Sequence, residues 1–278
     1  MNIIDAIYNL VKNPVLELVP SNQGRNRANN AGEALEEYIK DLFANTFKMP
    51  PKKRQKKMSE VFSYLGNNNN PPDAMIRGGD AIEIKKIESN DSSIALNSSY
   101  PKQTLQKSST MISTACREAE NWTKKDMIYA VGVVEGHFLK HLSLVYGLDY
   151  CANDECYNRI KATIKKGVEA ITSVDFAETK ELGRINKVDP LGITYLRVRG
   201  MWGIENPWRV FDYIYTRDPN KSFNFMCIIN NAKWRTFDNT EKLTSIDDKG
   251  FSISNVHIKN PDNPAKLVSA KLITYSKD

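Results

Sequence analysis

The residues in this chain with the clearest chemical potential are Asp73, Glu83 and Lys85. Pro72-Asp73 is followed, after nine residues, by Glu83-Ile84-Lys85, the pattern P-D…E-x-K. Glu83 and Lys85 stand two apart, so on an extended strand they share a face. If Asp73 begins the neighbouring strand, two carboxylates converge with one ammonium group beside them. Paired carboxylates suit a hard divalent cation, above all Mg2+, which takes oxygen ligands and keeps some of its waters. Such a cation polarises a phosphate oxygen and lowers the pKa of a water. The Lys85 ammonium would stabilise negative charge on the attacking water or on a pentavalent phosphorus. The expected chemistry is hydrolysis of a phosphate ester without a covalent nucleophile.

So short a pattern also arises by chance on a solvated hairpin, and the surrounding elements decide between the two. DAMIR and AIEIKKI read as strands joined by a turn at Gly78-Gly79-Asp80. Ile82 and Ile84, with Ile87 as a further candidate, face one way, and Glu83 and Lys85 the other. Upstream, GEALEEYIKDLFANTF reads as a helix, with Ala31, Leu35, Tyr38, Ile39 and Leu42 on its buried stripe. Glu36 flanks that stripe and can point along the sheet edge, whereas Glu33 and Glu37 point further from the core. Glu36 is the candidate third acid, with Glu33 as the weaker choice. All three also fit an ordinary solvated helix face.

Elsewhere, residues 1–18 predict a short amphipathic helix built on Ile3, Ile4, Ile7, Leu10 and Val11 and ended by Pro14. The basic run KMPPKKRQKK at 48–57 reads as a solvated loop, with phosphate contact the minority reading. NNNNPP at 67–72 is a breaker cluster, 89–109 a long polar loop and 110–121 a helix. MIYAVGVV at 127–134 is a continuous apolar run, expected as a buried central strand. HLSLVYGLDYCA follows as a strand and NRIKATIKKGVEAI as a helix, an order that predicts a mixed α/β domain with helices covering the sheet. Beyond about 178 the pattern loosens, although ITYLRVRGMWGIENPW begins as a strand and SFNFMCIIN is apolar. One domain, residues 1–278, is expected, with a core at about 30–175 and a C-terminal elaboration at about 178–278.

Composition limits the classes available. Of 278 residues, 41% are hydrophobic and 26% charged, a globular balance that excludes a disordered tail or a fibre. No run approaches the roughly 18 apolar residues of a spanning helix, and the N-terminus lacks a signal-peptide pattern. The net charge of +6 permits a polyanionic partner without demanding one. Four cysteines are too few for a disulfide scaffold in a chain this long, which points to a reducing cytoplasm.

Several segments taken together make the sequence resemble the NgoPII-type type II restriction endonucleases, within the PD-(D/E)xK nuclease superfamily. They are NRANNAGEALEEYIKDLFA, PPDAMIRGGDAIEIKKIE, SSIALNSSYPK and FAETKELGRINKVDPLGITYLRVRGMWGIENP, which fall within residues 1–210. The resemblance implies a restriction-endonuclease-like mixed sheet flanked by helices. It implies Mg2+-dependent cleavage of both strands of duplex DNA at a short palindrome, with GGCC the expected site. Asp73, Glu83 and Lys85 then take the catalytic positions, with Asp73 and Glu83 as metal ligands, and Glu36 or Glu33 is the helix acid. A palindrome is matched by a two-fold symmetric reader, so a homodimer is expected, and its functional partner is a protecting DNA methyltransferase. Two rivals are a structure-specific repair or junction-resolving nuclease of the same superfamily and a non-catalytic DNA-binding protein.

A site of G·C pairs calls for bidentate donors to guanine, usually arginine. Arg197 and Arg199 share a strand face, and Arg184 and Asn186 precede them. Asn97, Ser98, Ser99, Tyr100 and Lys102 follow the catalytic strand and suit backbone contacts; Arg25 and Arg27 are weaker candidates. Trp202 and Trp208 read as core or interface anchors. His137, His141, Cys151 and Cys156 offer a rival zinc set, disfavoured because the histidines straddle a turn.

Overall fold

The computed structural model describes residues 1–18, 27–67 and 69–278, with side chains in the second helix described from Ala31 onward. The N-terminal third holds α1 (Ile3–Lys12), α2 (Arg27–Ala44), α3 (Pro51–Val61), β1 (Phe62–Tyr64), β2 (Ala74–Ile76) and β3 (Ala81–Ile87). The middle holds β4 (Ile94–Asn97), β5 (Thr104–Gln106), α4 (Thr114–Glu118), β6 (Lys124–Glu135), β7 (Phe138–Tyr146), α5 (Gly147–Tyr150) and α6 (Asp154–Glu169). Short pieces follow: β8 (Asp175–Phe176), β9 (Gly183–Asn186), β10 (Leu196–Val198), β11 (Trp202–Ile204) and α7 (Pro207–Val210). The chain closes with β12 (Phe223–Asn230), α8 (Asn231–Trp234), α9 (Glu241–Thr244), β13 (Phe251–Asn260) and β14 (Asn263–Lys277).

The main sheet runs β1-β2-β3-β6-β7-β12-β14-β13, with β5 paired to β6 off this path. It is mixed: β3 lies parallel to β6 and β7 parallel to β12, while β6–β7 and β12–β14 are antiparallel. Strand alternation gives it two apolar faces. On one, Ile82, Ile84, Ile128, Ala130, Leu142 and Phe225 pack with α1 and the Leu35–Ile39–Leu42 stripe of α2. On the other, Met127, Tyr129, Val131, Val145, Met226 and Ile228 pack with Tyr150, Trp208 and Phe211. With both faces covered, β6 is buried along almost its whole length, which is why its sequence does not alternate. The start of α1 is fixed by a reciprocal cap: Asn2 accepts from the Ile4 and Asp5 N–H groups, and Asp5 accepts from the Asn2 N–H.

The mixed α/β architecture expected from the sequence is the one the chain adopts, with local differences. The 48–57 run is not a loop: Pro51 occupies the first helical turn, where its missing N–H costs nothing, and the lysines continue as the solvated face of α3. Ile87 is odd in register with Ile82 and Ile84 and packs on the opposite face. The 89–109 loop contains β4 and β5, and the 110–121 helix shrinks to α4. HLSLVYGLDYCA leaves the sheet at Tyr146, because Gly147 turns into α5 with its α-carbon against the Lys102 carbonyl. The segment from about 178 divides. β9 and β10 join β8 in a separate three-stranded sheet, β11 pairs with β4, and β12, β14 and β13 extend the main sheet.

Candidate active site

Asp73 stands at the entry to β2, its N–H bonded to the Ile82 carbonyl at 3.0 Å. Its Oδ2 accepts from the Ile84 N–H at 2.6 Å, so the carboxylate is clipped to the strand that carries the other two groups. On β3, Glu83 and Lys85 share a face, as their spacing requires. The Lys85 ammonium lies 2.6 Å from Glu83 Oε1 and 3.8 Å from Asp73 Oδ2. Glu36 comes in from α2, bonded to Lys40 at 3.4 Å, and it feels the charges of both Asp73 and Lys85. Glu33, one turn earlier, is exposed on the rim of the same groove. That groove, of about 670 Å³, includes Glu36, Asp73, Lys85 and Lys86. Lys85 and Lys86 point to opposite faces of β3, so the groove wraps the end of the strand.

The hairpin beneath the site is pinned from behind. Lys125, buried at the start of β6, donates to the Ile76 carbonyl at 3.0 Å and the Gly79 carbonyl at 2.7 Å. It also pairs with Glu120 at 2.5 Å, and Glu120 accepts from the Gly78 N–H and Ser63 hydroxyl. A second, partly buried cation, Lys233 on α8, joins Asp80 and Asp126 at 2.7 Å each.

The electrostatics are those of crowded acids. Burial, reinforced by the nearby Asp73 charge, pushes the Glu83 carboxyl up to about 7. Burial and Asp73 likewise raise Glu36. Burial alone would lower Lys85, but Glu83 and Asp73 outweigh it and the ammonium is held above its usual range. The cluster thus carries more negative potential than one ammonium relieves. Glu83 Oε2 is buried with no hydrogen-bond partner, while Oε1 contacts Lys85. Among the described residues no three His, Cys, Asp or Glu side chains form a ready-made metal cage. An all-oxygen pair with an unsatisfied lone pair fits a cation that needs only one or two carboxylates and completes its shell with water, as Mg2+ does.

Comparison with known proteins bears on this geometry. The family model described as NgoPII restriction endonuclease matches residues 1–259. The type II restriction enzyme NgoPII of Neisseria gonorrhoeae is 61% identical over 276 residues, covering 99% of each chain. The chain belongs to the NgoPII restriction endonuclease family. No solved structure matches it. The protein is thus a type II, site-specific deoxyribonuclease.

Within this family member, the other residues singled out from sequence fall into three places. Asn97, Ser98 and Ser99 line a pocket of about 150 Å³ with Asp73, Glu83 and Lys85. Tyr100 and Lys102 lie in the adjoining pocket, where Lys102 is buried and its ammonium sits 3.8 Å above the Tyr100 ring. Arg197 and Arg184 are cross-strand partners in the small sheet, which puts them on one face. Arg197 and Arg199 both grip Glu181, at 2.6 Å, so they do share a face, and each keeps guanidinium N–H groups beyond those that bond Glu181. Arg184 bonds Asn186 at 3.3 Å and stacks over Tyr195. Arg25 lies outside the described residues, as does the side chain of Arg27.

Trp208 is a core residue beside His141, and Trp202 packs edge-on to Tyr100 and Tyr157. The zinc alternative fails locally. His141 is buried on β7, Cys151 is buried, Cys156 is exposed on α6, and no metal-holding group forms among the described residues. Sequence reasoning missed Lys86, Asn67, Asn69 and Asn70 as lining residues and Glu181 as the arginine partner. The asparagines read as turn formers, and nothing local in the sequence links Glu181 to a strand that follows 15 residues later.

Proposed function

We propose that this enzyme cleaves duplex DNA at GGCC with Mg2+ as cofactor, and that Asp73, Glu83, Lys85 and Glu36 form its catalytic set. The observation that supports this reading is the convergence of Asp73 and Glu83 on one ammonium, at 3.8 and 2.6 Å, beside the unsatisfied Glu83 oxygen. Asp73 and Glu83 would hold the metal. When bound, Mg2+ supplies charge neutralisation at the scissile phosphate and a more acidic water. Asp73 is held in one orientation by the Ile84 N–H, which preorganises it. Lys85 keeps its proton and directs Nζ toward the charge that develops on phosphorus. Glu36 adds negative potential that draws the metal in and orients water at the groove's edge.

Arg197, Arg199, Arg184 and Asn186 are the proposed guanine readers. Asn97, Ser98, Ser99, Tyr100 and Lys102 are the proposed backbone contacts. The palindrome implies a homodimer, with a cognate methyltransferase protecting host DNA in a shared cytoplasm. The single-domain reading, with recognition in the part beyond about 178, belongs to the same proposal.

The test is digestion of unmethylated plasmid with Mg2+ and with EDTA, followed by sequencing of the fragment ends. The expected result is Mg2+-dependent fragments ending within GGCC, abolished by Asp73→Ala. Discrete ends at another sequence would overturn the specificity and keep the chemistry. Cleavage that survives Asp73→Ala would overturn the catalytic assignment.

A further inference from the structure

The pocket next to the catalytic one contains a buried cation, Lys102, a proposed backbone contact that stands outside the catalytic set. It measures about 270 Å³ and is lined by Lys102, Thr110, Asn158 and Lys161, among others. Lys102 is only 6% exposed, its ammonium rests on the face of Tyr100, and among the described residues it has no ion-pair partner. Lys161, from α6, repels it across the gap, and burial and this repulsion both work against the Lys102 charge. Asp154 also lines the pocket and offsets part of that cost, and Asn158 bonds the Tyr100 hydroxyl. Two lysines and one carboxylate line the pocket, which leaves a net positive concavity. Such a site is completed by an anion.

Its position says which anion. The pocket shares Met111 with the pocket lined by Asp73, Glu83 and Lys85, and Lys102 feels the Glu83 charge. On the other side it shares Thr110 and Lys161 with a groove of about 500 Å³ that reaches Lys165 and Glu181, the residue gripped by Arg197 and Arg199. A trough therefore runs from the catalytic groups, along α6, to the arginine pair. α6 buries none of its residues completely, and Lys161 is partly exposed on the side that lines the trough, within reach of a ligand.

We propose that Lys102 and Lys161 form a subsite for a DNA backbone phosphate adjacent to the scissile one, and that the trough along α6 carries that strand toward Arg197 and Arg199. This rests on the nuclease reading above. Asn158 orients Tyr100 under Lys102, and Lys161 closes the phosphate from the solvent side. Such contacts carry no sequence information; they set affinity, register and salt dependence.

The test measures binding of cognate and non-cognate duplexes in EDTA across a salt series, with Lys161→Ala and with Lys166→Ala, a lysine on α6 outside the trough. Lys161→Ala should flatten the slope of log K against log salt by about 0.9, equally on both duplexes. Lys166→Ala should leave the slope near the wild type. Duplexes carrying one neutral methylphosphonate at a time should show a position beside the scissile phosphate that weakens wild-type binding and no longer weakens Lys161→Ala. An unchanged slope in Lys161→Ala, an equal loss in Lys166→Ala, or no such position would overturn the subsite. Wild-type cleavage assayed with Mg2+ in parallel separates this failure from failure of the nuclease reading.

Discussion

Lys125→Met tests whether the catalytic hairpin is held from behind. The Lys125 side chain is 4% exposed and Glu120 is 12% exposed, so this is a buried pair. Methionine keeps most of the stem's packing but removes the charge and three hydrogen-bonding contacts, two of them to the hairpin carbonyls of Ile76 and Gly79. Glu120 keeps the Gly78 N–H and the Ser63 hydroxyl, yet its negative charge is left without a cation. Removing one member of a buried ion pair typically costs about 3–5 kcal/mol. Unfolding entropy for 278 residues comes to about 0.6 kcal/mol per kelvin, so Tm should fall by about 5–9 °C.

Urea unfolding gives the free energy, and an unchanged m-value shows that the native state is intact. Glu120→Gln in the Lys125→Met background should restore at least about 1 kcal/mol, because the stranded charge is then gone. Turnover should fall by about 100-fold if the hairpin shifts by as little as about 1 Å. A loss below about 1 kcal/mol, or no recovery in the double variant, would refute the pinning argument.

Three further outcomes are expected. Gly66→Ala should destabilise the protein by more than about 1 kcal/mol and lower cleavage, because Gly66 has φ +82° and a β-carbon there would collide with the Asp73 carbonyl; wild-type Tm and activity would contradict this. Burial, with Arg217 and Lys140 nearby, pushes His141 down to about 4, from an ordinary 6.5. Its stabilising contribution is therefore complete above 6.5 and is lost as pH falls toward 4, where the unfolded chain binds the extra proton. His141→Phe should flatten the stability profile in that window, and a profile unchanged between the two proteins would count against it. Arg197→Ala should reduce discrimination against single-base variants of the target by about 10- to 100-fold while leaving plasmid nicking at other sites possible; an unaltered discrimination ratio would remove Arg197 from the readers.

The sequence by itself determined the parts governed by short-range periodicity. Alternation in AIEIKKI puts Glu83 and Lys85 on one face because successive side chains of a strand must oppose one another. The unbroken run in β6 required a strand covered on both sides, and the stripe from Leu35 to Leu42 required a helix lying on it. The Pro-Asp start and the Gly-Gly turn likewise made the catalytic hairpin legible.

Tertiary structure alone decided what depends on distant pairing. That Glu36 feels the Asp73 charge while Glu33 stays on the rim depends on how α2 sits against the sheet, which a run of similar glutamates does not specify. Ile87, three residues after Ile84 in an unbroken register, falls on the opposite face by alternation alone; tertiary structure adds only that this face is also covered by a core, so an apolar residue fits there. The place of β12 between β7 and β14 follows from hydrogen bonding to segments about 80 residues away on one side and about 40–54 on the other. The Arg197–Glu181 and Lys102–Lys161 relationships have the same origin. Charges far apart along a chain acquire meaning only when the fold sets their separation and removes the water between them.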